Sequence, residues 1–318
     1  MTTTRSTTAL GALVASLALL AGCAGAPAAA PAAQERVAAP AALPAATTCD
    51  GSFDSTTSYA PGPGGASVDA IRARGALLVG VSADTLLMGS RNPLSGQIEG
   101  FDIDMLQAVS DAIFGDGRPL QFRVITSAQR LEVLEAHEVD LVARTFTMNC
   151  ERWETIAFSA EYLTAGQKVL VTRDSDAQSI DDLEGLGDQR VCAPDSTTTL
   201  ERLQENYPGV EAVPAPTHTG CLVLFQQGKV DAITGDDTIL AGFVAQDPYA
   251  KVVGEPFSEE PYGIGVAADQ VDLVAFVNGV LDQAKADGSW AASYERWLGA
   301  LGPAPVPPTS VYGRVGSP

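Results

Sequence analysis

Between Val68 and Leu301, short apolar runs bounded by polar residues recur between stretches whose apolar positions fall three or four apart, the pattern of strands interleaved with amphipathic helices. VDAIRARG (68–75) starts a helix and ALLVGVS (76–82) reads as an apolar strand. A turn-rich connection with Asn92, Pro93, Gly96 and Gly100 leads into GFDIDMLQAVSDAIFG, where Ile103, Leu106, Val109 and Ile113 share one helical face. The strand FRVIT, the helix QRLEVLEAHE and the strand VDLVART complete a first unit. GQKVLVTR is a further strand, and a second unit opens with VCAP, continues through the helix LERLQENY and closes near Tyr262. FVNGVLDQAK and WAASYERWL are helical, with Trp290 and Trp297 seven apart in their core. The alternation predicts α/β architecture built on parallel sheets, with ligands at the carboxyl ends of the strands.

Two of these strands end alike in construction and opposite in chemistry. Val139 to Arg152 reads VDLVARTFTMNCER, and residues 230–242 read VDAITGDDTILAG. Five residues after Asp140 comes Thr145, and five after Asp231 comes Asp236. On an extended backbone Thr145 and Thr147 project from one face, and Arg152 adds a planar guanidinium a short turn later. Hydroxyls and an arginine suit a carboxylate; a buried aspartate suits an ammonium. Together they imply an α-amino acid site. A hydroxyl run, Ser196 to Thr199, sits between a strand and a helix, where unpaired backbone N–H groups favour an anion. Thr198 with Glu201 three residues later also fits a capping box.

Composition narrows the partners. Of 318 residues, 19 are Lys or Arg and 39 Asp or Glu, a net charge of −20, so the basic footprint of a nucleic-acid binder is missing. Residues 1–22 carry Arg5 and an apolar run from Ala9 to Ala21, too short to span a bilayer, and LAGC ending at Cys23 matches a lipoprotein signal with lipidated Cys23 as mature N-terminus. An Ala/Pro-rich tether is assigned to 23–67, and its Ala- and Pro-dominated part, Ala24 to Thr48, extends by up to ~3.1 Å per residue and holds the folded part on the order of 75 Å from the membrane. Cys49, Cys150, Cys192 and Cys221 allow three disulfide pairings that spacing alone does not separate. Cys192 with Cys221, both in the middle of the chain, is the favoured pair, which leaves Cys49 with Cys150.

At GFDIDM, the VDLV strand running into TxTxxxxR, SxxY at 159–162, VCAPDSTTTLE and VDAITGDD, the chain resembles the bacterial extracellular solute-binding proteins of family 3, the amino-acid receptors of ABC uptake systems. The likeness runs from about Val68 to Leu301 and is greatest to actinobacterial glutamate and glutamine-binding lipoproteins, which share the cysteine pattern and the run CLVLFQQGKVDAITGDD. It implies a two-lobed periplasmic-binding-protein-like (type II) fold in which lobe 2 (165–263) is inserted into lobe 1 (68–164 with 264–302), joined by a two-strand hinge and followed by a Pro-rich tail (303–318). It implies that Arg152, Thr147 and Thr197 or Thr198 take the ligand carboxylate, and that Asp236 and Thr145 take the ammonium. Ser196 stands where a glycine is usual, which is expected to reshape the loop, and His137 where a small turn residue is common.

Arg130 and Arg144 are candidates to pair with a second ligand carboxylate, although strand alternation turns Arg144 away from Thr145. Asp84 near them favours an amide or cationic side chain. Glutamate or aspartate is the first-choice ligand, glutamine or asparagine the second. The expected role is a monomeric, lipid-anchored extracellular receptor working with a permease and needing no cofactor or metal; a membrane sensor partner and a dehydratase-like enzyme are the competing roles. His137 and His218 are expected at the surface or in loops, and Asp181, Asp182, Glu259 and Glu260 on solvated faces.

Overall fold

The computed structural model describes residues 48–49, 53–115, 117–186 and 189–316. The signal peptide, Cys23 and the spacer up to residue 47 lie outside the described residues.

The chain forms two α/β lobes, each around one sheet. The first sheet runs, in order, Ile156–Phe158, Gly265–Ala267, Leu141–Val142, Leu78–Val81 and Gln121–Val124. The second runs Glu211–Ala215, Arg190–Pro194, Ala232–Asp236, Leu163–Thr172 and Ala250–Val253. Neither is wholly parallel. Leu78–Val81 is parallel to both neighbours and Arg190–Pro194 to both of its own. Gly265–Ala267 and Leu163–Thr172 run antiparallel to theirs. Parallel pairing needs a long crossover connection, and these two strands enter almost directly from the other sheet, so they arrive pointing the other way.

The crossing is a two-stranded ribbon. Leu163 to Gly166 pairs antiparallel with Tyr262 to Glu259, and the rest of Leu163–Thr172 continues into the second sheet. Alternation along that strand separates two cores: Leu170 packs with Cys192, Ile233 and Leu240 on one face, while Val169 and Val171 pack with Val191 and Leu203 on the other. The first lobe has one large core around Val79, Leu106, Phe158 and the fully buried Trp290.

The segments expected as tether and tail are partly folded. Thr57–Tyr59 is buried and pairs in parallel with Val311–Arg314 from the Pro-rich end. Ser58 Oγ donates to Phe158 O (2.8 Å), Trp153 Nε1 donates to Ser55 O (2.7 Å), and the Arg314 guanidinium lies 3.8 Å from the Trp153 ring centre. A few aromatic and hydroxyl anchors suffice where bulky aliphatics are absent, so the free tether ends well before residue 67.

Both disulfides are present as expected, Cys49–Cys150 and Cys192–Cys221. The first closes a span of 101 residues and ties the N-terminal strap to the helix carrying Arg152. Replacing Cys49 and Cys150 together by serine is expected to lower the unfolding free energy by about 2–5 kcal/mol. Urea denaturation checks this; a loss below about 1 kcal/mol would mean that the strap is already constrained in the unfolded chain.

Candidate ligand-binding site between the lobes

The site grows from one strained turn. The strand Leu141–Val142 ends early, so the expected alternation through Thr145 and Thr147 does not operate. Instead Thr145 takes φ 42°, a left-handed conformation rare for a β-branched residue and costing about 1–2 kcal/mol. Its N–H donates to Asp102 Oδ2 (2.9 Å), and Tyr162 OH donates to Asp102 Oδ1 (2.6 Å). Asp102 belongs to GFDIDM, whose Gly100 (φ 143°) passes so close to Met88 that an added Cβ would lie 2.3 Å from Met88 O. That motif therefore shapes the site from beneath.

A cavity of only about 10 Å³ is lined by Thr145, Thr147, Arg152 and Arg130 from the first lobe and by Thr197, Thr198, Thr199, His218 and Asp236 from the second. Arg152 sits in the short helix Cys150–Trp153, whose N-cap Asn149 accepts from the Arg152 N–H. Its Nη1 donates to Thr147 O (2.5 Å), and its guanidinium lies 5.1 Å from the centre of the Phe146 ring. Asp236 ends the strand Ala232–Asp236; Tyr262 OH donates to its Oδ2, while Oδ1 is buried with no partner.

The hydroxyl run divides its work. Thr197, not Thr198, caps the helix Thr198–Asn206, accepting from the Leu200 N–H (3.2 Å). Thr198 Oγ1 instead donates to Glu260 Oε2 (2.7 Å), so the cap falls one residue earlier than expected and, with Leu200 three residues after it, the capping box expected from Thr198 and Glu201 does not form. Ser196 adopts φ 57°, so the loop keeps the glycine-like backbone despite the side chain, and His137 does the same at φ 52°.

The two specificity candidates are already committed. Arg130 Nε donates to Ser127 O (2.9 Å), Nη1 to Arg144 O (3.3 Å) and Thr145 O (3.2 Å), and Nη2 to Ser196 O (2.9 Å) on the other lobe. It also stacks 4.4 Å from the centre of the Phe146 ring. Arg144 does not line the cavity; it donates to Ile125 O (2.8 Å) and Ser127 Oγ (2.6 Å), with half-buried Asp84 at 4.0 Å. Thr219 Oγ1 donates to Asp84 O (3.0 Å), and an added Cβ on Gly242 would meet Leu86 O at 2.5 Å, so the lobes are in close contact.

Three buried groups escaped the sequence reading. Glu260, expected on a solvated face, is fully buried and accepts from Thr198 and Ser258 (2.6 Å), because the ribbon alternates Glu259 outward and Glu260 inward. His218, expected in a surface loop, is the first residue of the helix His218–Gln226 and is buried against the cavity. Asp102 lies in an apolar run and betrays itself only by being an acid on a buried helical face.

Burial dominates the electrostatics. It pushes the Asp236 carboxyl well above the usual carboxylate range, helped by nearby Glu260. Burial lowers the Arg152 guanidinium, against the pull of Glu260, Glu201 and Asp236. Burial and then the Arg152 and Arg144 charges lower Arg130 well below its ordinary value. Asp84 ends lower than usual: burial raises it, but the Ser82 hydroxyl and Arg144 outweigh that. Burial and Arg144 hold His218 at about 3, a neutral imidazole.

Residues 77–300 match the family model for bacterial extracellular solute-binding proteins, family 3. The chain belongs to that family. Among its relatives, the ABC transporter glutamine-binding protein GlnH of Bacillus subtilis is 34% identical over 72% of this chain and 83% of its own length. The glutamate-binding protein GluB of Corynebacterium efficiens is 34% identical over 71% of this chain and 80% of its own. Among solved structures, the ancestral amino acid-binding protein AncCDT-1, a precursor of cyclohexadienyl dehydratase, superposes with TM-score 0.67 at 29% identity, covering 73% of this chain and 99% of that one. These matches agree with the two-lobed type II fold.

Asp102 titrates near the working range, raised from 3.8 to about 6 by burial against the Tyr162 and Thr145 hydrogen bonds. A raised folded pKa stabilises below the unfolded value, and that stabilisation is lost as pH rises through about 6. The unfolding free energy of the parent relative to Asp102→Asn is expected to fall by roughly 2–3 kcal/mol between about pH 4 and pH 7.5. Urea titrations at both pH values test it; a difference independent of pH would mean that the carboxyl titrates as in the unfolded chain.

Proposed function

We propose that the chain is the receptor of an ABC uptake system for an α-amino acid whose side chain ends in a carboxylate or carboxamide. The observation that carries this reading is the unpartnered Asp236 Oδ1, which shares a small cavity with the Arg152 guanidinium from the opposite lobe. A zwitterion satisfies both. Arg152, Thr147 and the first-turn backbone of the helix Thr198–Asn206 take the α-carboxylate, with Thr197 fixing that turn as its cap. The Thr198 hydroxyl is engaged with Glu260, so Thr198 contributes through its N–H. Asp236 and Thr145 take the α-ammonium. The names of GlnH and GluB support the ligand class and, for GlnH, the transporter.

In this reading 68–164 with 264–302 form one rigid body and 165–263 the other, and rotation at the ribbon opens the site. The ligand favours the closed arrangement because it touches charges on both bodies, a differential affinity that an open form lacks. Binding rather than catalysis is the expected outcome, since Arg152 and Asp236 are each short of partners and a complementary ion completes both.

Arg152→Ala and Asp236→Asn are each expected to weaken ligand binding at least tenfold, in line with about 2–5 kcal/mol for a buried charged partner. Thermal unfolding against single amino acids measures it: ligand at 100 Kd adds about 2.7 kcal/mol to the parent. If the parent shifts with no amino acid after removal of carried-over ligand, the receptor reading fails.

The anchoring is proposed from the sequence: Cys23 carries the lipid and holds the protein on the outer face of the plasma membrane. Cys23→Ser is expected to move the protein from the membrane fraction to the soluble exported fraction on immunoblotting. Retention of the variant in the membrane would exclude Cys23 as the anchor.

A further inference from the structure

The cavity has a further polar group besides Asp236 on its second-lobe wall, His218, across from Arg152 and Arg130 of the first lobe. Arg130 spends four of its five N–H donors on backbone carbonyls, and Arg144 does not line the cavity. His218 is 5% exposed, lines the cavity, and its Nδ1 is buried with no partner.

The helix that carries the imidazole is held in place. Thr217 caps it, accepting from the Gly220 N–H (3.0 Å). Cys221, one turn on, is bonded to Cys192 in the neighbouring strand, and Thr219 is hydrogen-bonded across the lobes to Asp84 O. A buried ring nitrogen left unsatisfied on a fixed helix costs free energy unless a ligand completes it.

We infer that His218 reads the ligand side chain and selects a primary carboxamide, making glutamine the preferred ligand over glutamate. This rests on the receptor reading above. The orphaned Nδ1 of the neutral ring is either an N–H or a lone pair, and an amide, which both donates and accepts, completes it in either tautomer. A carboxylate only accepts, so it completes Nδ1 in one tautomer and opposes the lone pair in the other. Asp84, outside the cavity lining but close enough to act on His218, adds repulsion for a carboxylate.

Calorimetric Kd values for glutamine and glutamate with the non-lipidated full chain, its His218→Leu variant and its His218→Gln variant test the assignment. The parent is expected to favour glutamine by about tenfold or more, a ratio that His218→Gln, which keeps a donor and an acceptor, preserves within about threefold. His218→Leu is expected to lose glutamine affinity by at least about tenfold and bring the two ligands within about threefold. A parent that prefers glutamate, or a glutamine to glutamate ratio unchanged in His218→Leu, overturns the assignment while leaving the receptor reading intact. Binding of neither ligand while other amino acids bind overturns the assignment alone; binding of no amino acid at all overturns both. Should His218→Leu fail to fold, the parent ratio and the His218→Gln ratio still decide.

Discussion

Everything at the site depends on two opposite charges buried on different lobes without a full set of partners. Arg152 has one side-chain hydrogen bond among the described residues, to Thr147 O, and Asp236 has one satisfied oxygen and one bare. Removing such groups from water is costly, and the cost grows when Glu260 lies near Asp236 and Arg130 near Arg152. A protein arranged only for stability would pair them directly. Held apart on opposite walls of one cavity, each stays short of a partner.

The ribbon between the lobes is wired to both charges. Tyr262 donates through its hydroxyl to Asp236, and its backbone bridges to Thr147, the residue whose carbonyl holds Arg152. Two residues earlier, Glu260 accepts from Thr198 at the start of the helix facing Arg152. A rotation at residues 259–262 therefore cannot occur without moving the anchors of both charges. Ribbon and site are one mechanical unit, and Thr145 and Ser196, strained points with left-handed backbones on opposite lobes, are joined through Arg130.

Much of this was legible in the sequence, for identifiable reasons. The repeated Val-Asp strand starts, with Thr145 and Asp236 five residues on, lead to two residues that line one cavity, because equivalent strand ends in α/β units face one cleft. The reason offered for Thr145 and Thr147 was wrong, since a positive φ rather than strand alternation brings them together. The hydroxyl run was placed rightly, but a one-residue shift in the cap changed which threonine is free. What stayed hidden were His218 and Glu260, whose roles depend on burial by the opposite lobe, a long-range fact that no local pattern carries. Parallel sheets were expected throughout, and the antiparallel strands arise only because the chain passes twice between lobes.

Arg130 and Arg144 show why residue type alone misleads in such a cleft. Each was a natural partner for a ligand carboxylate, yet the planar fork of a guanidinium is equally suited to collecting carbonyl oxygens from several chain segments. Arg130 gathers three carbonyls from its own lobe and one from the other. Arg144 ties the end of one strand to the turn after another. They are struts whose positive field is left over. Burial first, and that field second, lower the His218 pKa to about 3 and keep the ring neutral, so the arginines act on the cavity wall through electrostatics as well as through their hydrogen bonds.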